Sequence, residues 1–227
     1  MRLGHEALWP ELSAQLDAPG SRAAVIPVSE NSPTFAVTGL SERSALGALT
    51  KHTGGVLLAD GWVRLLGGVG APATGPRLPS LDEANDRGAG LYVVGADVLG
   101  GLYAIDGGAF ERADGQLHYW APDTLDWTDL EAGLHTFISA MLDGHDAEFY
   151  EGLRWDGWEA EVATLALDEG IHVYPLLCTR ESKPLEKASR RAVPVAELVA
   201  FNVDIATQID GHAPHPVPHY KAAPAEA

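Results

Sequence analysis

Residues 91–120, LYVVGADVLGGLYAIDGGAFERADGQLHYW, decide the fold. The runs 91–94, 101–105, 109–112 and 116–120 have strand length and are separated by glycines. Asp114-Gly115 stands between the last two, and both positions tolerate the positive φ that a two-residue hairpin demands. Strands joined by such short turns are sequential neighbours and therefore antiparallel, because a parallel pair needs a crossover of a dozen or more residues. The stretch predicts a β-meander and argues against a Rossmann arrangement.

Working outward toward the N-terminus, Leu8, Trp9, Leu12 and Leu16 share one helical face that Pro19-Gly20 ends. A short strand follows at 23–26. A helix with Ser41 as N-cap carries Leu46 and Leu49 inward and stops at Thr53-Gly54-Gly55. Strands at 56–58 and 62–66 flank a turn at Asp60-Gly61, and residues 67–80 read as a long irregular loop. Ser80-Leu81-Asp82-Glu83 is a capping box and predicts a short helix.

Beyond Pro122 the period becomes helical. Thr128-Asp129-Leu130-Glu131 reads as a second capping box before the stripe Leu134, Phe137, Ile138, Met141 and Leu142. Residues 149–158 predict a shorter helical stretch broken at Asp156-Gly157, and 159–167 continue as helix. Residues 171–178 predict a strand in which Pro175 demands an edge or bulge. Pro194 opens a last helix to about Ile209. The expected architecture is a single α+β domain over residues 1–210, an antiparallel meander with packed helices. Residues 211–227, rich in proline and histidine, are expected to form a disordered tail.

The 227 residues weigh 24.0 kDa and are 46% hydrophobic, enough for one core without staples. Cys178 is the single cysteine, so no disulfide closes within the chain, and a lone thiol fits a reducing cytoplasm. No apolar run approaches the roughly 20 residues of a membrane span, and the start lacks the basic-then-apolar pattern of a signal peptide. With 32 acidic against 15 basic side chains, net charge −17, sequence-independent nucleic-acid binding is not expected, since phosphate affinity comes from lysine and arginine.

Catalytic and cofactor motifs fail on mechanism. Gly68-Val69-Gly70-Ala71-Pro72-Ala73 matches a dinucleotide fingerprint, but Pro72, Pro76 and Pro79 deny it the helix whose amides would face a pyrophosphate. Residues 70–75 have a P-loop's glycine spacing, with Pro76 and Arg77 in place of its Lys and Ser/Thr. No G-x-S-x-G occurs. His212, His215 and His219 are interleaved with prolines and lack a scaffold for metal, while Cys178 on Leu176-Leu177-Cys178 reads as a core thiol. No cofactor or metal is expected, and the chain is not expected to be an enzyme. The alternative is a hydrolase using Asp97, Asp106 and His118, against the simpler reading that each aspartate bonds the amides of its own turn. Asp123, Asp126 and Asp129 lack a calcium loop's spacing and read as helix-entry carboxylates.

Charge is segregated along the chain. Between Asp97 and Glu169 only Arg112 and Arg154 oppose 17 carboxylates, whereas Arg180, Lys183, Lys187, Arg190 and Arg191 cluster in one basic loop. Trp120, Trp127, Trp155 and Trp158 fall in the acidic stretch, either as core or as an aromatic groove rimmed by acid. The candidate partner-binding set is Asp97, Asp106, Asp123, Asp126, Trp127, Asp129, Trp155 and Trp158, facing a basic protein.

The words 46–55 (LGALTKHTGG), 61–67 (GWVRLLG), 78–81 (LPSL), 97–110 (DVLGGLYAIDGGAF), 119–127 (YWAPDTLDW), 149–158 (FYEGLRWDGW) and Tyr174-Pro175 are similar to an uncharacterised bacterial family, domain of unknown function 2625. The resemblance covers about residues 8–204 and extends to the SUKH superfamily. It implies an α+β fold with helices on an antiparallel sheet. It also implies a protein-binding role, in many SUKH members as immunity proteins that neutralise polymorphic toxins, often nucleases, with a housekeeping interaction protein without a toxin link as a further alternative. It implies no catalytic set.

Overall fold

Every strand of the main sheet pairs antiparallel with its successor, so spatial order equals chain order. In the computed structural model, which describes residues 7–29, 40–71, 75–85, 90–110, 115–211 and 213–224, the seven strands are β1 (Ala24–Ile26), β2 (Gly55–Leu58), β3 (Val63–Leu66), β4 (Leu91–Asp97), β5 (Leu102–Asp106), β6 (Leu117–Ala121) and β7 (Asp126–Asp129). The meander expected at the centre thus takes in the whole sheet, and the class is α+β. The helices are α1 (Trp9–Leu16), α2 (Ala45–His52), α3 (Leu81–Ala84), α4 (Leu134–Leu142), α5 (Asp146–Phe149), α6 (Trp158–Val162) and α7 (Val195–Asp210); β8 (Glu169–Tyr174) and β9 (Ser189–Pro194) form a separate antiparallel ribbon.

Local chemistry explains most boundaries. The β2–β3 turn holds Ala59, Asp60 and Gly61 at φ of 50°, 55° and 85°, the left-handed run that a tight reversal requires. Ser80 and Glu83 close the expected capping box on α3, and Arg77 grips the same Glu83 carboxylate at 2.7 Å. The N-cap of α2 is Ser44 rather than Ser41: its Oγ accepts from Gly47 N–H at 3.0 Å. The Ser41 carbonyl lies 2.1 Å from where a Cβ on Gly47 would stand, so only glycine fits there.

Five further expectations are corrected. Residues 126–129 form the edge strand β7 and not a helix entry, and α4 begins only at Leu134 with no side-chain cap. Trp127 lies directly across from Trp120, and this aromatic cross-strand pair outweighs the local capping pattern of Thr128 and Glu131. Ala109 and Phe110 belong to no strand, and Glu111, Arg112 and Asp114 lie outside the described residues. The expected basic loop is partly β9, paired with β8, which itself ends at Tyr174 before Pro175. Cys178 is consequently half-buried beyond the strand rather than in the core, and burial pushes its thiol pKa up.

Cα partners across adjacent strands share a face. One row runs Val56, Leu65, Gly95, Tyr103, Tyr119 and Thr128; α4 and α5 cover it, with Phe137 and Phe149 4.7 and 6.4 Å from the Tyr103 ring. The opposite row runs Leu57, Arg64, Ala96, Leu102, Trp120 and Trp127. Within the tail, Pro216, Pro218 and Tyr220 are buried against the domain on this side. Trp127 Nε1 donates to the Pro216 carbonyl at 2.9 Å, and Tyr220 is buried. Pro216, Pro218 and Tyr220 face inward while His215 and Val217 face outward, so a period-two pattern of prolines and one tyrosine supplies the apolar contact that bulk composition conceals.

Candidate functional site

The residues singled out by sequence divide sharply by burial. Asp97 ends β4 and is fully buried. Its Oδ1 accepts from the Leu99 and Gly101 amides at 2.8 and 2.9 Å, and its Oδ2 from the Tyr119 and Tyr150 hydroxyls at 2.6 and 3.3 Å. The Tyr103 and Tyr150 hydroxyls are hydrogen-bonded to each other. Burial pushes the Asp97 carboxyl above its ordinary range, against the downward pull of these donors, and pushes all three tyrosines well up. A Cβ on Gly101 would stand 2.3 Å from Asp97 Oδ2 and 2.4 Å from the Tyr119 hydroxyl. Asp97 is therefore a closed polar keystone and presents nothing to a partner. Gly101→Ala is expected to destabilise by about 3 kcal/mol, as an overpacked core does, measurable by urea denaturation.

Asp106 is also buried, and its Oδ1 accepts from the Gly108 and Phe110 amides at 2.7 and 3.2 Å. It pairs with Leu91 at the far end of β4 from Asp97, roughly 20 Å away at about 3.3 Å per residue. His118 stacks on Phe110 at 4.1 Å. Asp106 and His118 thus both touch Phe110, whereas Asp97 lies at the other end of β4, so the three do not converge on one site. Among the described residues no group of three His, Cys, Asp or Glu side chains could hold a metal. His212 lies outside the described residues.

Trp155 and Trp158 are buried, and their rings pack on Trp62 at 5.8 and 5.0 Å. The cation that an aromatic groove would recruit is already supplied by the protein. The Arg154 guanidinium lies 4.2 Å from the Trp158 ring centre, 4.9 Å from Trp62 and 5.1 Å from Tyr150, and Arg190 covers Trp155 at 4.4 Å. Arg154 Nη1 also reaches the fully buried Asp146 at 2.6 Å, and Arg22 joins the same carboxylate at 3.1 Å while holding Asp60 at 2.6 Å. Sequence reasoning missed this Asp60–Arg22–Asp146–Arg154 chain. The available signal was Arg154 itself, one of two bases in the acidic stretch.

What remains outside is strongly acidic. Asp126, Glu131, Asp143, Glu148, Glu151 and Glu159 are exposed, and among the described residues none of them forms an ion pair. Asp123 and Asp129 are half-buried; Asp129 Oδ1 accepts from the Glu131 amide at 2.8 Å, and Glu131 has φ +51°. Meanwhile Arg64, Arg154 and Arg190 turn inward, whereas Arg43, Arg180 and Arg191 are exposed. Arg64 donates to the Ala166, Leu167 and Glu169 carbonyls at 2.6–2.9 Å, and Arg190 holds Glu161 at 3.0 Å. Leu130, Ala132, Phe137, Met141, His145 and Phe149 line an apolar cleft of about 350 Å³ with Glu148 on its wall. The basic loop reaches the end of the acidic stretch where Lys183 donates to the Gly152 carbonyl. Among the described residues no helix is long and apolar enough to cross a membrane.

Comparison with known proteins agrees with the resemblance at family level. The family model for a protein of unknown function, DUF2625, matches residues 3–198. The uncharacterized protein YbfG of Escherichia coli K12 is 30% identical over 197 residues, covering 85% of this chain and 89% of that one. An uncharacterized protein of Haemophilus influenzae is 28% identical over 169 residues, 69% of this chain and 72% of its own. No solved structure matches. The chain belongs to the DUF2625 family.

Proposed function

We propose that this chain is a cytoplasmic protein-binding domain whose acidic surface around the α4–α5 cleft takes a basic partner. The observation that carries the reading is the division of charge: Arg64, Arg154 and Arg190 are engaged inside, six exposed carboxylates form no ion pair among the described residues, and one of them, Glu148, lines an apolar cleft. Such a surface steers a cationic protein and offers it a desolvated anchor point. The SUKH-type immunity role is the specific form of this reading, with a basic nuclease toxin as the partner.

Affinity capture with the wild type and with the Asp126→Lys/Glu148→Lys/Glu151→Lys variant tests it. The expected result is one identified basic protein, retained at about 50 mM salt, released by about 300 mM, and absent from the variant. If that protein is a toxin encoded beside this gene, co-expression of the wild type should restore growth and the variant should not. A partner held equally by both proteins at both salt concentrations contradicts the proposal.

A further inference from the structure

We propose that the row Arg64, Ala96, Leu102, Trp120 and Trp127 floors a groove for an extended proline-rich segment of a partner, and that residues 213–224 are its resident occupant in cis. The tail is held at Trp127 and buried near Arg64. Trp127 Nε1 donates to the Pro216 carbonyl at 2.9 Å, and Tyr220 is buried near Arg64: burial pushes the Tyr220 hydroxyl pKa up and the nearby guanidinium opposes that rise.

The lengths agree. Four strand spacings separate Trp127 from Arg64, roughly 19 Å at about 4.8 Å each. Four residues of extended chain cover roughly 13 Å, and the long Trp, Arg and Tyr side chains reach across the remainder. The inward set Pro216, Pro218 and Tyr220 is an alternating apolar edge. An extended proline-rich backbone makes no internal hydrogen bonds, so its carbonyls are free to accept, and an indole N–H donating to one of them is how aromatic grooves read such segments.

One donor on this row is left unmet. Trp120 sits beside Trp127 on the same row, fully buried, and its indole N–H has no hydrogen-bond partner among the described residues. A segment that presented a carbonyl to each indole would be held better than the tail. The floor lies within the family match at 3–198, whereas the strap lies beyond it. The groove is thus built by the domain and merely filled by the tail.

The probe is a labelled synthetic peptide of residues 213–224, titrated against the full-length chain by fluorescence anisotropy. The tethered strap competes at millimolar effective concentration, so Tyr220→Ala, which unpins it, should bind the peptide at least ~10-fold more tightly than the wild type. Adding Trp127→Phe should weaken that binding ~5-fold or more, and a peptide with its prolines changed to alanine should bind correspondingly worse. Circular dichroism checks that each variant is folded; if Tyr220→Ala is not, Pro218→Gly loosens the strap instead. Equal affinity of the wild type and the loosened variant, or binding indifferent to Trp127→Phe, overturns the proposal.

Discussion

Asp97→Ala is expected to destabilise the protein by about 4 kcal/mol and to lower its melting temperature by roughly 10 °C. Two amides and two tyrosine hydroxyls lose their acceptor at a site without solvent, and each orphaned donor costs about 1–3 kcal/mol before relaxation. Asp97→Asn isolates the charge from the shape. Because burial holds the Asp97 pKa above its ordinary value, the folded state binds this proton more tightly than the unfolded state. That contribution to stability is complete below the ordinary aspartate pKa and fades as pH rises through the folded value. Thermal melts between about pH 4 and 7 should therefore show the wild type losing ground to Asp97→Asn as pH rises. A difference that stays constant, or that moves in the wild type's favour, contradicts the assignment.

Arg154→Ala should be equally severe. It leaves Asp146, fully buried, with Arg22 alone, and uncovers the faces of Trp62, Tyr150 and Trp158. Breaking a buried pair by removing one partner costs about 3–5 kcal/mol, chiefly because an uncompensated charge remains. The matching Asp146→Ala/Arg154→Ala double variant should consequently lose at least ~1 kcal/mol less than the sum of the single variants. Urea denaturation of the four proteins measures this, with a red shift of tryptophan emission expected on Arg154→Ala. Strict additivity would show that the two residues act independently.

These two sites explain what the sequence could and could not disclose. Glycine spacing and alternation identify the meander, and the capping box at Ser80 places α3, because such signals are local. Burial is not local. Asp97 before its glycine-rich turn reads correctly as a turn-bonding residue, but nothing nearby announces that Tyr119 and Tyr150, 22 and 53 residues away, close over it. Trp155 and Trp158 look like a recruiting surface until Arg154 and Arg190 are seen on their faces. Asp126 illustrates the reverse case. Its helix-entry reading fails because Trp127 pairs with Trp120, yet its exposure survives on β7, where its Oδ1 accepts from the Trp127 amide at 2.8 Å and blunts the sheet edge. Composition alone sets the acidic balance, while the inward turn of Arg64, Arg154 and Arg190 takes part of the opposing charge off the surface.

The most direct test of the binding surface is calorimetric titration of the captured basic partner into the wild type and into Asp126→Lys/Glu148→Lys/Glu151→Lys at low and high salt. The surface assigned here predicts a Kd raised at least ~10-fold in the variant at about 50 mM salt, a gap that narrows as salt rises, and no loss of melting temperature. An unchanged Kd in a folded variant would contradict it.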